Sequence, residues 1–162
     1  MNKIIRINEG PYARVKVRNY VHMVVLDKFG RVKSVSHSTN LRTTAGLNWQ
    51  SDLMGSAAGV PAKYIGLTEN ATAPAIGDTT LAGELTTDGL TRALALYNHT
   101  PGSPIYTLFK AFTVTGGPHT IEKTAVFTLV SGGVMVFEAV ANPVSVVDNT
   151  DTLNVTWTIS LP

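Results

Sequence analysis

The chain contains no cysteine among its 162 residues. Disulfides, thiolate nucleophiles and thiolate metal ligands are therefore excluded together. Packing, sheet hydrogen bonding or association with other subunits must stabilise the fold instead. A chain without cysteine also suits folding in a reducing cytoplasm.

Charged residues and long apolar runs are also scarce. Only 15% of the residues are charged and 44% are hydrophobic, so we expect some apolar surface to be buried against partners. The longest apolar candidate, 21–26, is far shorter than the roughly 18 residues of a membrane span, and we expect no membrane partner. The N-terminus lacks an apolar region of signal-peptide length, so we expect it to stay on the mature protein.

The few charges are divided by position. Residues 1–42 hold nine of the thirteen Lys and Arg but only Glu9 and Asp27 as acids, whereas the rest of the chain holds four basic and nine acidic residues. Two regions of opposite charge suit a subunit that docks on an acidic neighbour or on copies of itself. This distribution indicates assembly rather than catalysis.

Short β-branched runs separated by Gly, Pro and Asn predict an all-β fold, an antiparallel sandwich or small barrel with one short α-helix and an extended N-terminal arm. We expect residues 1–14 to be the arm and residues 15–162 to be a single β domain. The predicted strands are a hairpin over 20–37 with its turn at 27–30, and strands over 62–67, 90–97, 106–115, 123–130, 134–140 and 152–161.

The last predicted strand has the clearest pattern. Its apolar residues Leu153, Val155, Trp157, Ile159 and Leu161 alternate with Asn, Thr and Ser. Alternate residues of a strand point to opposite faces, so one face is apolar and the other is rich in hydroxyl groups. That second face is expected to be solvated or paired with a neighbour.

The segments between strands also carry signals. Apolar residues at helical spacing predict one helix over 44–57, capped by Thr43 or Thr44 and placed at one end of a sheet. Residues 68–78 are expected to form an ordered loop that wraps the surface, followed by a short helical turn over 80–85.

A series of short motifs lies between residues 60 and 161. They are Tyr64-Ile65-Gly66-Leu67, Ala73-Pro74-Ala75, Asp78-Thr79-Thr80-Leu81, Glu84-Leu85, Arg92, the run 109–115, Ile121-Glu122, Val126-Phe127 and the run 153–159. This order resembles the β-rich structural proteins of tailed bacteriophages, in which an Ala-Pro and Asp-Thr-x-Leu loop follows a strand ending in Gly. The chain departs from the pattern at Lys123-Thr124-Ala125, where relatives tend to have a Gly.

The resemblance extends to head-decoration, neck and tail-fibre components. A small domain without coiled-coil or collagen-like repeats is most similar to capsid decoration (cement) proteins. The resemblance implies a non-enzymatic protein, made in the host cytoplasm, that binds the outer surface of the head in the virion and stabilises contacts between capsid subunits. The implied partners are the major capsid protein and the protein itself as a homotrimer. The alternatives are a tail, neck or fibre structural protein, or a carbohydrate-binding host-recognition module.

The basic N-terminal segment supplies the predicted contact residues. Its isoleucines would add apolar contact or strand pairing, and its cations would face acidic groups on a neighbour. These residues are Ile4, Ile5, Arg6, Ile7, Arg14, Lys16 and Arg18. Equally, such cations are typical of edge strands protected against aggregation. The segment lacks interleaved aromatics and a recognition helix, so we expect no nucleic-acid partner.

The histidines predict neither catalysis nor a metal centre. His22 and His37 lie in predicted strands, and His99 and His119 lie beside turns, with no two of the four at metal-ligand spacing. We expect them to be structural or solvated, and we expect no cofactor.

Two acidic pairs have alternative interpretations. Asp148 and Asp151 would suit a Ca²⁺ loop, but a turn that hydrogen-bonds its own backbone is expected instead. Glu122 and Glu138 would suit glycosidase chemistry if a hairpin brought them close. One Glu at each outer end of a hairpin is, however, typical of solvated strand ends.

Overall fold

A computed structural model describes residues 19–55 and 59–160. The predicted arm, its seven contact residues and the proposed domain boundary lie outside these ranges. The described residues form ten β-strands and one α-helix: β1 (Asn19–Leu26), β2 (Val32–Thr39), β3 (Leu41–Arg42), α1 (Thr44–Gly55), β4 (Tyr64–Thr68), β5 (Ala93–Leu94), β6 (Leu96–His99), β7 (Ile105–Thr113), β8 (His119–Phe127), β9 (Met135–Val147) and β10 (Thr152–Ser160).

The strands form two five-stranded sheets, so the predicted all-β sandwich is confirmed. Sheet A has the strand order β2-β1-β10-β7-β6, and sheet B has the order β3-β9-β8-β4-β5. Every strand pairing is antiparallel. The sheets meet where β2 lies beside β9. There the Ser38 hydroxyl donates to the Val140 carbonyl, and the Asn142 amide donates to the Ser36 hydroxyl at 2.8 Å.

The core between the sheets follows from strand alternation. The β10 residues Leu153, Val155, Trp157 and Ile159 are at most 1% exposed, which confirms the predicted apolar face of this strand. Trp157 stacks on Phe137 from sheet B, with ring centroids 6.2 Å apart. Sheet A therefore buries one face against sheet B.

The 90–97 segment departs from the predicted single strand. It divides into β5, which belongs to sheet B, and β6, which belongs to sheet A. Between them the Ala95 amide donates to the Lys63 carbonyl at 2.8 Å. This tertiary contact ends one pairing and lets the chain cross to the other sheet.

Residues 72–82 lie over part of the outer side of sheet B, in agreement with the ordered surface loop predicted over 68–78. Leu81 packs on Ala125, Phe127 and Met135 in a second apolar cluster. The short helical turn predicted over 80–85 is wrong, because these residues form turns and one bridge from Thr68 to Glu84. The Thr68 hydroxyl contacts the carbonyls of residues 82 and 83, which directs them to β4 rather than to a helical turn.

The predicted helix is confirmed, beginning at Thr44. The Gly46 amide donates to the Thr43 hydroxyl at 2.9 Å, so Thr43 is the N-cap. Gly46 lies directly against the backbone of Val136 in β9. Neither this helix nor any other part of the described chain is helical and apolar over a length that could span a membrane.

Candidate assembly surface

The outer side of sheet A forms a broad exposed surface across five strands, and we call it the open face. Each of its side chains is exposed or half-buried, whereas residues 72–82 cover part of the outer side of sheet B. The open face comprises Tyr20, His22, Val24, Leu26, Val32, Val35, His37, Thr39, Leu96, Asn98, Ile105, Thr107, Phe109, Ala111, Thr113, Thr152, Asn154, Thr156, Thr158 and Ser160.

None of these open-face residues is Asp, Glu, Lys or Arg. Soluble surfaces commonly have about 25–35% of such residues. The cores of protein interfaces are depleted of charge. An uncharged, five-stranded face therefore has the composition of an interface.

The strand register places apolar and aromatic side chains across the middle of this face. One transverse row runs His37, His22, Thr156, Phe109 and Leu96, each residue opposite the next on the neighbouring strand. Leu96 is 68% exposed and Phe109 is 38% exposed. This row gives the face an apolar end at β6 and an imidazole pair at β2.

The dimensions of the open face match a protein contact. Strands lie about 4.8 Å apart and rise about 3.3 Å per residue, so five strands of this length cover roughly 600 Å². A standard specific interface buries about 800 Å² on each partner. The open face alone therefore provides most of one such surface.

The imidazole pair has an electrostatic consequence. The rings of His22 and His37 stack with centroids 4.2 Å apart. Burial lowers the pKa of His22, and the nearby His37 lowers it further because two imidazolium rings would repel. Both effects favour the neutral form of the His22 ring near pH 7.

One end of the open face is bounded by turns. Lys33, left unpaired by a bulge in β2, contacts Asp148 at 3.0 Å and Asp151 at 2.5 Å. The Asp151 carboxylate also accepts the Asp148 amide hydrogen at 2.9 Å. The predicted self-bonded turn at these two aspartates is thus confirmed.

The β1–β2 turn displays an aromatic side chain at the same end. The Asp27 carboxylate accepts the amide hydrogens of Phe29 and Arg31 at 2.8 and 2.9 Å, which fixes the turn. Phe29 is 71% exposed, and the cations of Lys28 and Arg31 lie 5.0 and 5.1 Å from its ring centre. The turn therefore presents an exposed aromatic group at the rim.

The structure corrects the expectation for Glu138. It is fully buried, and its Oε1 lies 2.6 Å from Nζ of Lys123 rather than at a solvated strand end. The reason is the covering segment: residues 72–82 lie over the hairpin and exclude solvent from it. Glu122, in contrast, is half-buried.

His119 belongs to a polar cluster that sequence reasoning missed. Its Nε2 lies 2.9 Å from Oδ2 of Asp88, and its Nδ1 lies 3.3 Å from Oε1 of Glu69. These residues come from three distant segments, so no local spacing could have signalled them. In the described ranges no group of three or more His, Asp or Glu is arranged to hold a metal ion.

Comparison with models of known protein families, with curated proteins and with solved structures gives no match. The surface geometry and the sequence motifs are thus the basis for a functional proposal.

Proposed function

We propose that the protein is a non-enzymatic structural subunit of a tailed-bacteriophage particle. Its role in this proposal is capsid decoration: it binds the outer surface of the assembled head and stabilises contacts between capsid subunits. The observation that carries the proposal is the open face, an uncharged surface of interface size. The motifs between residues 60 and 161 support the phage assignment through their resemblance to virion proteins.

The side chains of the open face are of the kind that can be buried permanently in a protein interface. Covering hydroxyl and aliphatic groups avoids the large desolvation cost that buried charges carry. Ile105, Phe109 and Leu96 add apolar area near β6, where 44%, 38% and 68% of each residue is exposed. Removal of this area from water favours association.

Two kinds of contact follow in this proposal. The open face of one copy packs against a neighbouring copy of the chain, and its lack of charge avoids charge repulsion and the desolvation of ions there. The basic residues of 1–42 meet acidic groups of the major capsid protein. A trimer that holds several capsid subunits multiplies weak contacts, and binding only to the assembled lattice stabilises it by mass action.

Co-sedimentation with expanded heads that lack the protein tests this role. We expect saturable, stoichiometric binding that weakens at high salt, because exposed charge contacts are screened. The native mass in solution should exceed that of one chain. Absence of head binding, with binding to tails or to host polysaccharide instead, would refute decoration and favour one of the alternatives.

Two lysine substitutions test whether the open face is the contact between copies of the chain. Thr156→Lys places a charge in the central row of the open face, whereas Ser131→Lys places one in the exposed β8–β9 turn of the other sheet. We expect T156K to be folded and monomeric and S131K to retain the wild-type mass. A T156K protein with unchanged native mass would show that the open face is not the contact between copies.

A further inference from the structure

The Lys123–Glu138 pair lies on the outer side of sheet B, away from the open face. Strand pairing sets Lys123 opposite Val140 and Glu138 opposite Ala125, so the two charged residues are diagonal neighbours on β8 and β9. Their side chains are 3% and 0% exposed, and Nζ lies 2.6 Å from Oε1. The amine and the carboxyl group are therefore held in contact, and their side chains are almost inaccessible from the protein surface.

The protein supplies few hydrogen bonds to this buried ion pair. Residues 72–82 close over it and leave a cavity of about 320 Å³ lined by Thr72, Asp78, Lys123 and Glu138 among others. The Lys123 amine lies 2.6 Å from Oε1 and the Asp78 carboxyl also lies beside Glu138, but the residues that the structure describes supply no further donor to either carboxylate oxygen. Two buried charges with so few partners carry a large desolvation cost.

A neutral Glu138 carboxyl group would lower that desolvation cost. Burial raises the pKa of Glu138, Lys123 opposes the rise, and the Asp78 carboxyl adds to it. Amide formation requires a neutral amine and a neutral carboxylic acid, and transfer of one proton within the contacting pair would supply both.

We propose that Lys123 and Glu138 form an intramolecular isopeptide bond. Nζ of the neutral amine attacks Cδ of the protonated Glu138 carboxyl, and an N–C bond forms. The C–OH bond then breaks, and the hydroxyl leaves with a proton from the amine as one water molecule. Asp78, which lines the same cavity, accepts the amine proton and returns it to the leaving hydroxyl. The condensation requires no oxidant, reductant or cofactor.

Two physical effects favour the bond inside the protein. Well-oriented groups react with effective molarities of about 10⁵–10⁸ M, which offsets the unfavourable condensation in water. The product amide is uncharged, so its burial is much less costly than burial of the ion pair. The bond would join β8 and β9 covalently and is independent of the proposed function.

The intact mass of the purified wild-type chain is the direct test. We expect it to be one water molecule lighter than the sequence mass, with the difference retained after unfolding. Lys123→Arg keeps the positive charge but should retain its full sequence mass. Glu138→Gln should lose ammonia instead of water and reach the same final mass as the wild-type product.

Peptide mapping identifies the bond. Chymotryptic cleavage after Phe127 and Phe137 separates the two strands, so we expect a branched peptide that joins the segment containing Lys123 to the one containing Glu138. A succinimide at Asp88-Gly89 would also remove one water, but it gives a linear peptide. A wild-type chain of full mass after prolonged incubation, or a lighter chain without the branched peptide, would overturn the proposal.

Discussion

The imidazole rings of His22 and His37 stack across β1 and β2 with their planes within 5° of parallel. The His22 pKa lies below 6.5 because burial disfavours the charged ring and because a charged His37 repels it. The unfolded chain experiences neither effect, so below pH 6.5 it binds a proton at this position more readily than the folded chain.

Acidification should therefore destabilise the protein through this pair. Above pH 6.5 the His22 ring is largely neutral in both states and contributes little, and the loss grows as the pH falls towards the lowered pKa. We expect the thermal midpoint of the wild-type protein to decrease as the pH is lowered from 7.5 to 5. His22→Gln should show a smaller decrease, whereas His99→Gln at an exposed position should behave as wild type. Equal pH dependence in H22Q and wild type would contradict this assignment.

Arg92 joins three parts of the fold from a mostly buried position. Its Nε donates to Oε1 of Glu84 at 2.6 Å, its Nη1 donates to the Gly132 carbonyl at 2.7 Å, and its guanidinium lies 3.4 Å from the Phe127 ring centre. Arg92→Ala would leave the Glu84 carboxylate without this partner in a site where Glu84 is only 19% exposed.

We expect Arg92→Ala to lower the free energy of unfolding by about 3–5 kcal/mol, the range for removal of one partner of a buried pair. Urea unfolding measures this directly. Arg31→Ala is the control, because Arg31 is 74% exposed and the Asp27 carboxylate keeps its hydrogen bonds from the backbone amides of residues 29 and 31 after the substitution. A similar small loss in both variants would show that the Arg92 contacts are not structurally important.

Trp157 is completely buried between the sheets, and its Nε1 has no hydrogen-bond partner in the described part of the chain. Trp157→Ala removes a large side chain from a packed core and should destabilise by about 3–5 kcal/mol. Trp157→Phe keeps most of the apolar ring and removes the unpaired N–H, whose burial alone costs about 1–3 kcal/mol.

The Phe variant should consequently be much closer to wild type than the Ala variant. Urea unfolding of both variants, with circular dichroism to confirm the fold, measures the difference. Equal losses in W157F and W157A would mean that the N–H makes a contact essential to the core.

The parts of the fold that sequence predicts well are those in which local pattern and tertiary packing agree. The alternation of β10 predicts both the buried row that includes Trp157 and the polar row that includes Thr156. The Asp27 turn follows from its own side-chain hydrogen bonds. The polar residues that β10 contributes to the open face follow from this alternation in the sequence. Their placement beside residues of the neighbouring strands depends on the strand order.

Other features depend on contacts between distant residues. The division of 90–97 at Ala95 depends on Lys63, and the burial of Glu138 depends on the covering segment 72–82. Neither position carries a local signal of its environment. The contact residues predicted between Ile4 and Arg18 lie outside the described ranges and stay a prediction.

Two glycines of α1 provide a matched pair for the helix contact. A Cβ added at Gly46 would lie 2.2 Å from the Val136 carbonyl oxygen, whereas one at Gly55 would have no atom within 4 Å. Alanine is the better helix former by about 1 kcal/mol, so the same substitution has opposite consequences at the two sites.

We expect Gly46→Ala to destabilise the protein by about 1–3 kcal/mol, the usual cost of overpacking, since the obstructing atom is backbone and β9 cannot move without disturbing its pairing. Gly55→Ala should stabilise by up to about 1 kcal/mol. Thermal and urea unfolding of the two variants side by side measure the contrast. A Gly46→Ala protein as stable as Gly55→Ala would mean that a methyl group at position 46 does not meet the Val136 backbone.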